Sequence, residues 1–169
     1  FRIGAVDAPN YRKVHARIMP RLGGLAIFGA FLIGVAVLRP ESPYLLSIIL
    51  GATIIVITGV LDDMYEISAK AKMLGQLVAA IIIVFFGGIQ IELINLPFGG
   101  ELEFGFLSIP FTIIWIICIT NAVNLIDGLD GLAAGVSTIA LLTLSIMAFI
   151  MGNMFVLAIA AILAASTFG

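Results

Sequence analysis

Four side chains able to ligate or hydrogen-bond recur at every third position in Asn121-Ala122-Val123-Asn124-Leu125-Ile126-Asp127-Gly128-Leu129-Asp130-Gly131. On a regular α-helix each step of three falls about 60° short of a full turn, so such a series would spread over about half the circumference. Gly128 and Gly131 offer a remedy, because glycine lets the chain leave helical geometry and approach a ligand closely. The expected arrangement has Asn121 and Asn124 in the last helical turn, with Asp127 and Asp130 on a glycine-hinged loop facing the same pocket. A second acidic pair, Asp62-Asp63, follows directly on the apolar run Ile54-Ile55-Val56-Ile57-Thr58-Gly59-Val60-Leu61. An unpaired Asp at the centre of a bilayer costs about 2.5–3.5 kcal/mol. The plain alternative is that both groups are solvated ends of membrane spans, but the Asn/Asp series is hard to explain as solubilisation alone. Clustered carboxylates and amides are hard oxygen ligands suited to Mg²⁺, which keeps several waters and bridges to substrate phosphates. Lys70, Lys72 and a basic N-terminal stretch are phosphate partners. The chemistry indicated is phosphoryl transfer from a soluble nucleotide at a membrane surface. The calcium-loop pattern D-x-[DN]-x-[DN]-G is absent.

The elements that must position these groups are apolar. Of 169 residues, 62% are hydrophobic and 11% charged, whereas a soluble domain has about 25% charged residues. An ordinary cytosolic domain and a disordered segment are both excluded. Runs of the length a spanning helix needs, about 17–25 residues, fall at about 22–38, 44–61, 73–89, 109–126 and 132–151, with a shorter sixth at 154–168. The fold class expected is therefore an all-α polytopic membrane protein with about six transmembrane helices. Residues 90–107 alternate apolar and polar side chains around Pro97-Phe98-Gly99-Gly100, which predicts a short β-hairpin on the outer face. With alternating spans, Arg2, Arg12, Lys13, Arg17, Arg21, Lys70 and Lys72 share one face, and Arg39 is the basic residue of the other. The positive-inside rule makes the first face cytoplasmic, and the acidic pairs and the Asn/Asp series lie on it. A net charge of -2 gives no electrostatic case for nucleic-acid binding. One cysteine and one histidine exclude a disulfide framework and a Cys/His zinc cluster. With no repeat and short loops, a single membrane domain over residues 1–169 is the simplest organisation. Phe1 opens the chain with no signal-peptide pattern, and a piece of a longer protein is expected.

Three blocks resemble the polyprenyl-phosphate N-acetylhexosamine-1-phosphate transferases. They are Arg12-Lys13-Val14-His15 with Pro20-Arg21-Leu22-Gly23-Gly24, then Gly59-Val60-Leu61-Asp62-Asp63 with Lys72 downstream, then the Asn121–Gly131 series. The outer hairpin also matches that family's layout. The Lys-x-His and Pro-Arg-Leu-Gly-Gly wording looks like the UDP-GlcNAc branch, which initiates wall teichoic acid and O-antigen or enterobacterial common antigen. Gly4-Ala5-Val6-Asp7-Ala8-Pro9-Asn10 looks like the Gram-positive teichoic acid linkage enzymes. The branch using UDP-MurNAc-pentapeptide is the alternative within the family. The resemblance implies about ten or eleven spans in a full-length member, with a further magnesium-binding Asp and a His-rich cytoplasmic loop beyond these residues. By that measure the present chain holds about half of the active-site face and is inactive alone.

The reaction implied is polyprenyl (undecaprenyl) phosphate plus UDP-GlcNAc giving polyprenyl diphosphate-GlcNAc plus UMP. Such transfer needs charge neutralisation and alignment more than covalent help. The cofactor implied is Mg²⁺, with Mn²⁺ as a substitute, and Asn124 or Asp127 its ligand in this chain. Asp62 or Asp63 would deprotonate or orient the lipid phosphate, with metal binding or nucleophilic attack as open alternatives. Asp127, Gly128 and Asp130, with Asn121 and Asn124, would form the nucleotide pocket. Lys13, His15 and Lys72 would contact phosphate, although Lys72 reads equally as a snorkelling interfacial lysine. The partners implied are the lipid, the UDP-sugar and the membrane, with a homodimer open and nucleic acid excluded. The competing class is a transporter or channel, which tends to carry its charges near the midplane of broken helices, often within internal repeats.

Overall fold

The computed structural model describes residues 6–7, 19–20, 23–97, 99–127 and 131–168. Six α-helices lie among the described residues: α1 (Gly23–Leu38), α2 (Leu45–Tyr65), α3 (Ala69–Ile81), α4 (Ser108–Ile126), α5 (Leu132–Ile150) and α6 (Met154–Phe168). A π-helical segment, Ile82–Phe86, continues α3, and a 3₁₀ turn, Gly105–Leu107, leads into α4. Four helical stretches, Leu45–Tyr65, Ala69–Phe86, Gly105–Ile126 and Leu132–Ile150, are long and apolar enough to cross a membrane. At 1.5 Å per residue α2 is about 31 Å long, the thickness of a hydrocarbon core, whereas α1 is about 24 Å. Large apolar side chains are left bare along these helices: Val37 is 73% exposed and Ile150 77%. Lipid, not water, is the solvent such surfaces fit. The protein is an all-α polytopic membrane protein.

Helix ends differ from the sequence reading, for local reasons. The third helix begins at Ala69 rather than 73, because Ser68 caps it by accepting from the Ala71 N–H at 3.3 Å. Its far end loosens into the π-helical segment, where the Gly87 N–H reaches Ile82 O at 3.1 Å, and Gly88 at φ +64 then stops it. The second helix runs on through Asp62 and Asp63 to Tyr65 and ends on Glu66, at φ +48. Pro110 sits in the first turn of α4, where its missing N–H costs no helical bond. Between α5 and α6, Gly152 takes φ +72 and Asn153 caps α6 by accepting from the Val156 N–H at 3.1 Å.

The chain forms two compact units. One comprises the described residues within Phe1–Ser42, Gly59–Glu66 and Val123–Gly169. In it α6 packs against both α5 and α1. Gly34 of α1 faces Ile162 of α6 so closely that a methyl group would collide with it, the small-residue approach common between membrane helices. Thr138 and Thr167 join α5 to α6 through their hydroxyls at 2.8 Å. A two-residue antiparallel ladder, β1 (Val6–Asp7) with β2 (Met19–Pro20), also belongs here, paired Val6 to Pro20 and Asp7 to Met19. Nothing in the sequence reading anticipated it.

The other unit comprises Pro43–Thr58 and Ile67–Ala122. Here α2 lies close on α3 and its π-helical extension. A Cβ on Gly51 would stand 2.8 Å from Ile83, one on Gly75 would strike the Thr58 side chain, and one on Gly87 would strike Ser47. Gly75→Val should therefore destabilise the protein by about 1–3 kcal/mol, the usual cost of overpacking, read as a lower unfolding temperature in detergent. An unchanged midpoint would contradict this packing.

The predicted hairpin is present but short. Strand β3 (Leu93–Asn95) pairs with β4 (Glu101–Glu103), with Ile94 opposite Leu102. Gly99 and Gly100, at φ +90 and +99, make the turn. Past the ladder the Phe104 N–H still donates to Glu92 O at 2.9 Å, and the 3₁₀ turn at Gly105–Leu107 then leads the chain away. Ile91 instead has its backbone groups held by α4. Its N–H donates to Thr112 Oγ1 at 2.8 Å, and its carbonyl accepts from Ser108 Oγ at 2.8 Å. Both hydroxyls are almost fully buried, and Phe104 stacks on Phe111 at 4.2 Å. The first turns of α4 thus anchor the hairpin. Thr112→Val keeps shape but orphans the Ile91 N–H, which costs about 1–3 kcal/mol. Limited proteolysis at residues 93–103 should become faster in that variant, and an unchanged rate would argue against the anchor.

Candidate active site

Asp62 and Asp63 occupy the C-terminal end of α2, half-buried, and each already makes an interaction there. No basic residue lies in the last turn of that helix. The C-terminal end of a helix carries about half a negative charge. Two adjacent carboxylates at this end oppose the helix dipole. The Glu66 N–H closes the end by donating to Asp62 O at 2.8 Å. Glu66 is a non-glycine residue in the left-handed region, a conformation that costs about 1–2 kcal/mol.

Lys70 and Lys72 show the same opposition with reversed sign. They lie in the first turn of α3, at the positive end of a helix with no acidic residue in that turn. Lys70 is exposed and Lys72 half-buried. Lys72 also makes an interaction of its own.

Helix α4 ends on the third group. Asn124 lies in its last turn and Asp127 in the turn that follows, both exposed. The terminal carbonyls of α4 lack helical partners, and a carboxylate immediately after them deepens the negative potential. A cation is the natural complement. Among the described residues no group of three or more His, Cys, Asp or Glu side chains could hold a metal ion. The donors do suit Mg²⁺, which keeps several waters and takes one or two protein oxygens alongside substrate phosphates.

Asn121 behaves differently from the other members of its series. It sits one turn earlier than Asn124, not in the last turn, and its amide is committed. Its Nδ2 donates to Gln76 Oε1 at 2.7 Å and to Ile117 O at 2.8 Å, and its Oδ1 accepts from Gln76 Nε2 at 3.3 Å. The sequence reading placed Asn121 in the pocket and passed over Gln76. The available signal was a lone uncharged polar residue within the otherwise apolar run 73–89.

Asp62, Asp63, Asn124 and Asp127 fall in one compact unit, and Lys72, Gln76 and Asn121 in the other. Lys13, His15, Gly128 and Asp130 lie outside the described residues. Gly131, at φ +73, opens α5, so the expected glycine-permitted break in helical geometry is present at that position.

The model of glycosyl transferase family 4 matches residues 45–169, most of the chain. The chain belongs to this family. The matched span takes in α2 to α6 and with them Asp62, Asp63, Lys72, Asn124 and Asp127, whereas Lys13 and His15 precede it. The curated relatives agree. A protein of Bacillus subtilis (strain 168) named probable undecaprenyl-phosphate N-acetylglucosaminyl 1-phosphate transferase is 48% identical over 100% of this chain and 48% of its own length. The undecaprenyl-phosphate alpha-N-acetylglucosaminyl 1-phosphate transferase of Yersinia pestis is 29% identical over 91% of the chain and 42% of its own length. The decaprenyl-phosphate N-acetylglucosaminephosphotransferase of Mycobacterium tuberculosis (strain H37Rv) is 33% identical over 85% and 38% respectively. The chain thus spans about half, or less, of the curated family relatives it matches. No solved structure gives a significant match.

Proposed function

We propose that the full-length protein transfers GlcNAc-1-phosphate from UDP-GlcNAc to a polyprenyl phosphate, undecaprenyl phosphate in the first instance, and releases UMP. The observation that carries this reading is similarity along the whole chain, at 48% identity, to a relative bearing that activity in its name. The charge distribution supports it, because two helices end on carboxylates set against their own dipoles.

In the proposed reaction a lipid phosphate oxygen attacks the β-phosphorus of UDP-GlcNAc. The new oxygen–phosphorus bond forms as the bond to the bridging oxygen breaks, and UMP leaves with that oxygen. Asp62 or Asp63 takes the residual proton of the lipid phosphate, whose second pKa is near 6, or aligns the attacking oxygen. Lys72, with Lys13 and His15, offsets phosphate charge. Asn124 and Asp127 would hold Mg²⁺, which when bound neutralises the diphosphate. Asp127, Gly128 and Asp130 would line the nucleotide pocket. This face is the cytoplasmic one by the distribution of Lys and Arg, which is where a soluble UDP-sugar is met. Early membrane-stage synthesis of an envelope glycan of teichoic acid type is the role that fits.

The test is UMP release by the full-length protein, reconstituted with undecaprenyl phosphate, UDP-GlcNAc and Mg²⁺. Release that needs both substrates supports the reading. No release, or equal release with UDP-MurNAc-pentapeptide, overturns it.

A further inference from the structure

We infer that the β3–β4 hairpin lies down in the membrane interface, with one face on lipid and the other in water. Its register sorts the side chains. Residues paired across an antiparallel ladder project from the same face, and neighbours along a strand from opposite faces. Ile94 stands opposite Leu102. The Leu96 N–H donates to Gly100 O at 3.0 Å, and the Phe104 N–H to Glu92 O, which carries Leu96 and Phe104 onto that same face. The other face pairs Asn95 with Glu101 and Leu93 with Glu103. Glu92 and Leu93, neighbours at the base, are the exceptions to this division. Leu96 and Leu102 are 47% and 50% exposed, so the described residues leave the apolar face bare.

What meets that face follows from where the hairpin is held. Ser108 and Thr112 hold Ile91 at its base, and Thr112 lies about 6 Å along α4 from the first residue of the helix. The stretch Gly105–Ile126 is long and apolar enough to span a membrane. The hairpin is therefore tied beside the first turns of a span, not raised above them into water. An aromatic column joins the two surfaces: Phe104 stacks on Phe111 at 4.2 Å and Phe111 on Trp115 at 6.2 Å. Phe106, at the exit of the hairpin, is 88% exposed. Aromatic side chains of this kind gather where a span meets the interface. A two-stranded ribbon also turns half its backbone groups outward, which hydrated headgroups satisfy and hydrocarbon does not. Residues 89–107 hold three glutamates and no Lys or Arg, so anionic headgroups would not attract the hairpin. The contact is apolar, and a zwitterionic bilayer suffices. The interface concerned lies opposite Lys70 and Lys72, which open the stretch Ala69–Phe86 leading to the hairpin.

The experiment uses the full-length protein in phosphatidylcholine nanodiscs, with its other cysteines, Cys118 included, replaced. A nitroxide is attached in turn to Ile94→Cys, Asn95→Cys, Glu101→Cys and Leu102→Cys. Collisions with oxygen, which concentrates in lipid, and with a water-soluble nickel chelate report the surroundings of each label. The ratio of oxygen to nickel collisions should be several-fold higher at 94 and 102 than at 95 and 101. Equal, water-like ratios on both faces overturn the inference. So do low rates with both reagents at 94 and 102, which mean a protein cover, either the rest of the chain or a second copy. If the labelled variants do not fold, proteolysis in the same nanodiscs decides. Leu102→Glu should speed cleavage within residues 93–103 several-fold, whereas Glu101→Leu should not. Equal rates in the two variants overturn the assignment of faces.

Discussion

Asp62→Asn and Asp63→Asn, made singly in the full-length protein, should separate catalysis from stability. For the carboxylate that handles the lipid phosphate proton, UMP release should fall by about 10²–10⁴-fold, the usual contribution of a positioned acid or base. The other substitution should cost less, which would assign the pair. Stability should hold or rise. Both groups lie at the negative end of α2 with no basic residue in that turn, and removing one charge there relieves a dipole penalty of about 0.3–1 kcal/mol. Asparagine matches aspartate in shape and can still accept a hydrogen bond, so the substitution removes charge with the least change of shape. The measurements are kcat for UMP release and the unfolding midpoint in detergent. Near-normal turnover in both variants would remove the pair from the mechanism. A large drop in the midpoint would mean the carboxylates are structural, contrary to the dipole argument.

How much of this was legible in the sequence depends on the scale. The existence of six apolar helices followed from run length, since every backbone group inside a bilayer must be bonded within its own element. Their ends did not follow, because an end is set by single residues. Ser68 starts α3 four residues early by capping it, and Glu66 ends α2 in a conformation that composition does not forecast. Alternation and the Gly99-Gly100 turn revealed the hairpin, but its anchor on α4 depends on Ile91 being claimed by Ser108 and Thr112 across 17 and 21 residues of sequence. The three-residue spacing from Asn121 onward marked a candidate segment. It could not separate a side chain free to meet a ligand from one bound to Gln76, 45 residues away, because partners at that distance leave no periodic trace. The opposed dipoles were hidden for the same reason as the ends: they need the helix termini to be known within a turn.

Asp127 is expected to govern the metal requirement, and here the change should appear in the response to Mg²⁺. Chelation with EDTA should abolish UMP release by the wild-type protein, and added Mg²⁺ should restore it. Asp127→Asn keeps the size of the side chain and removes the charge at the exit of α4, where the negative end of the helix dipole already favours a cation. Rate at a fixed, moderate Mg²⁺ concentration should fall by about 10²–10³-fold, comparable to losing one preorganised group that stabilises transition-state charge. Part of that loss should return as Mg²⁺ is raised, because weakened binding can be offset by mass action. Asn124→Ala should shift the Mg²⁺ response in the same direction but less, since it removes a neutral donor. Asp127 is exposed on a turn, so neither change should disturb packing, and the unfolding midpoint without Mg²⁺ should match wild type. A loss of rate in Asp127→Asn that Mg²⁺ at any concentration leaves untouched would move this carboxylate from the metal to the nucleotide. An unchanged rate would remove it from the site.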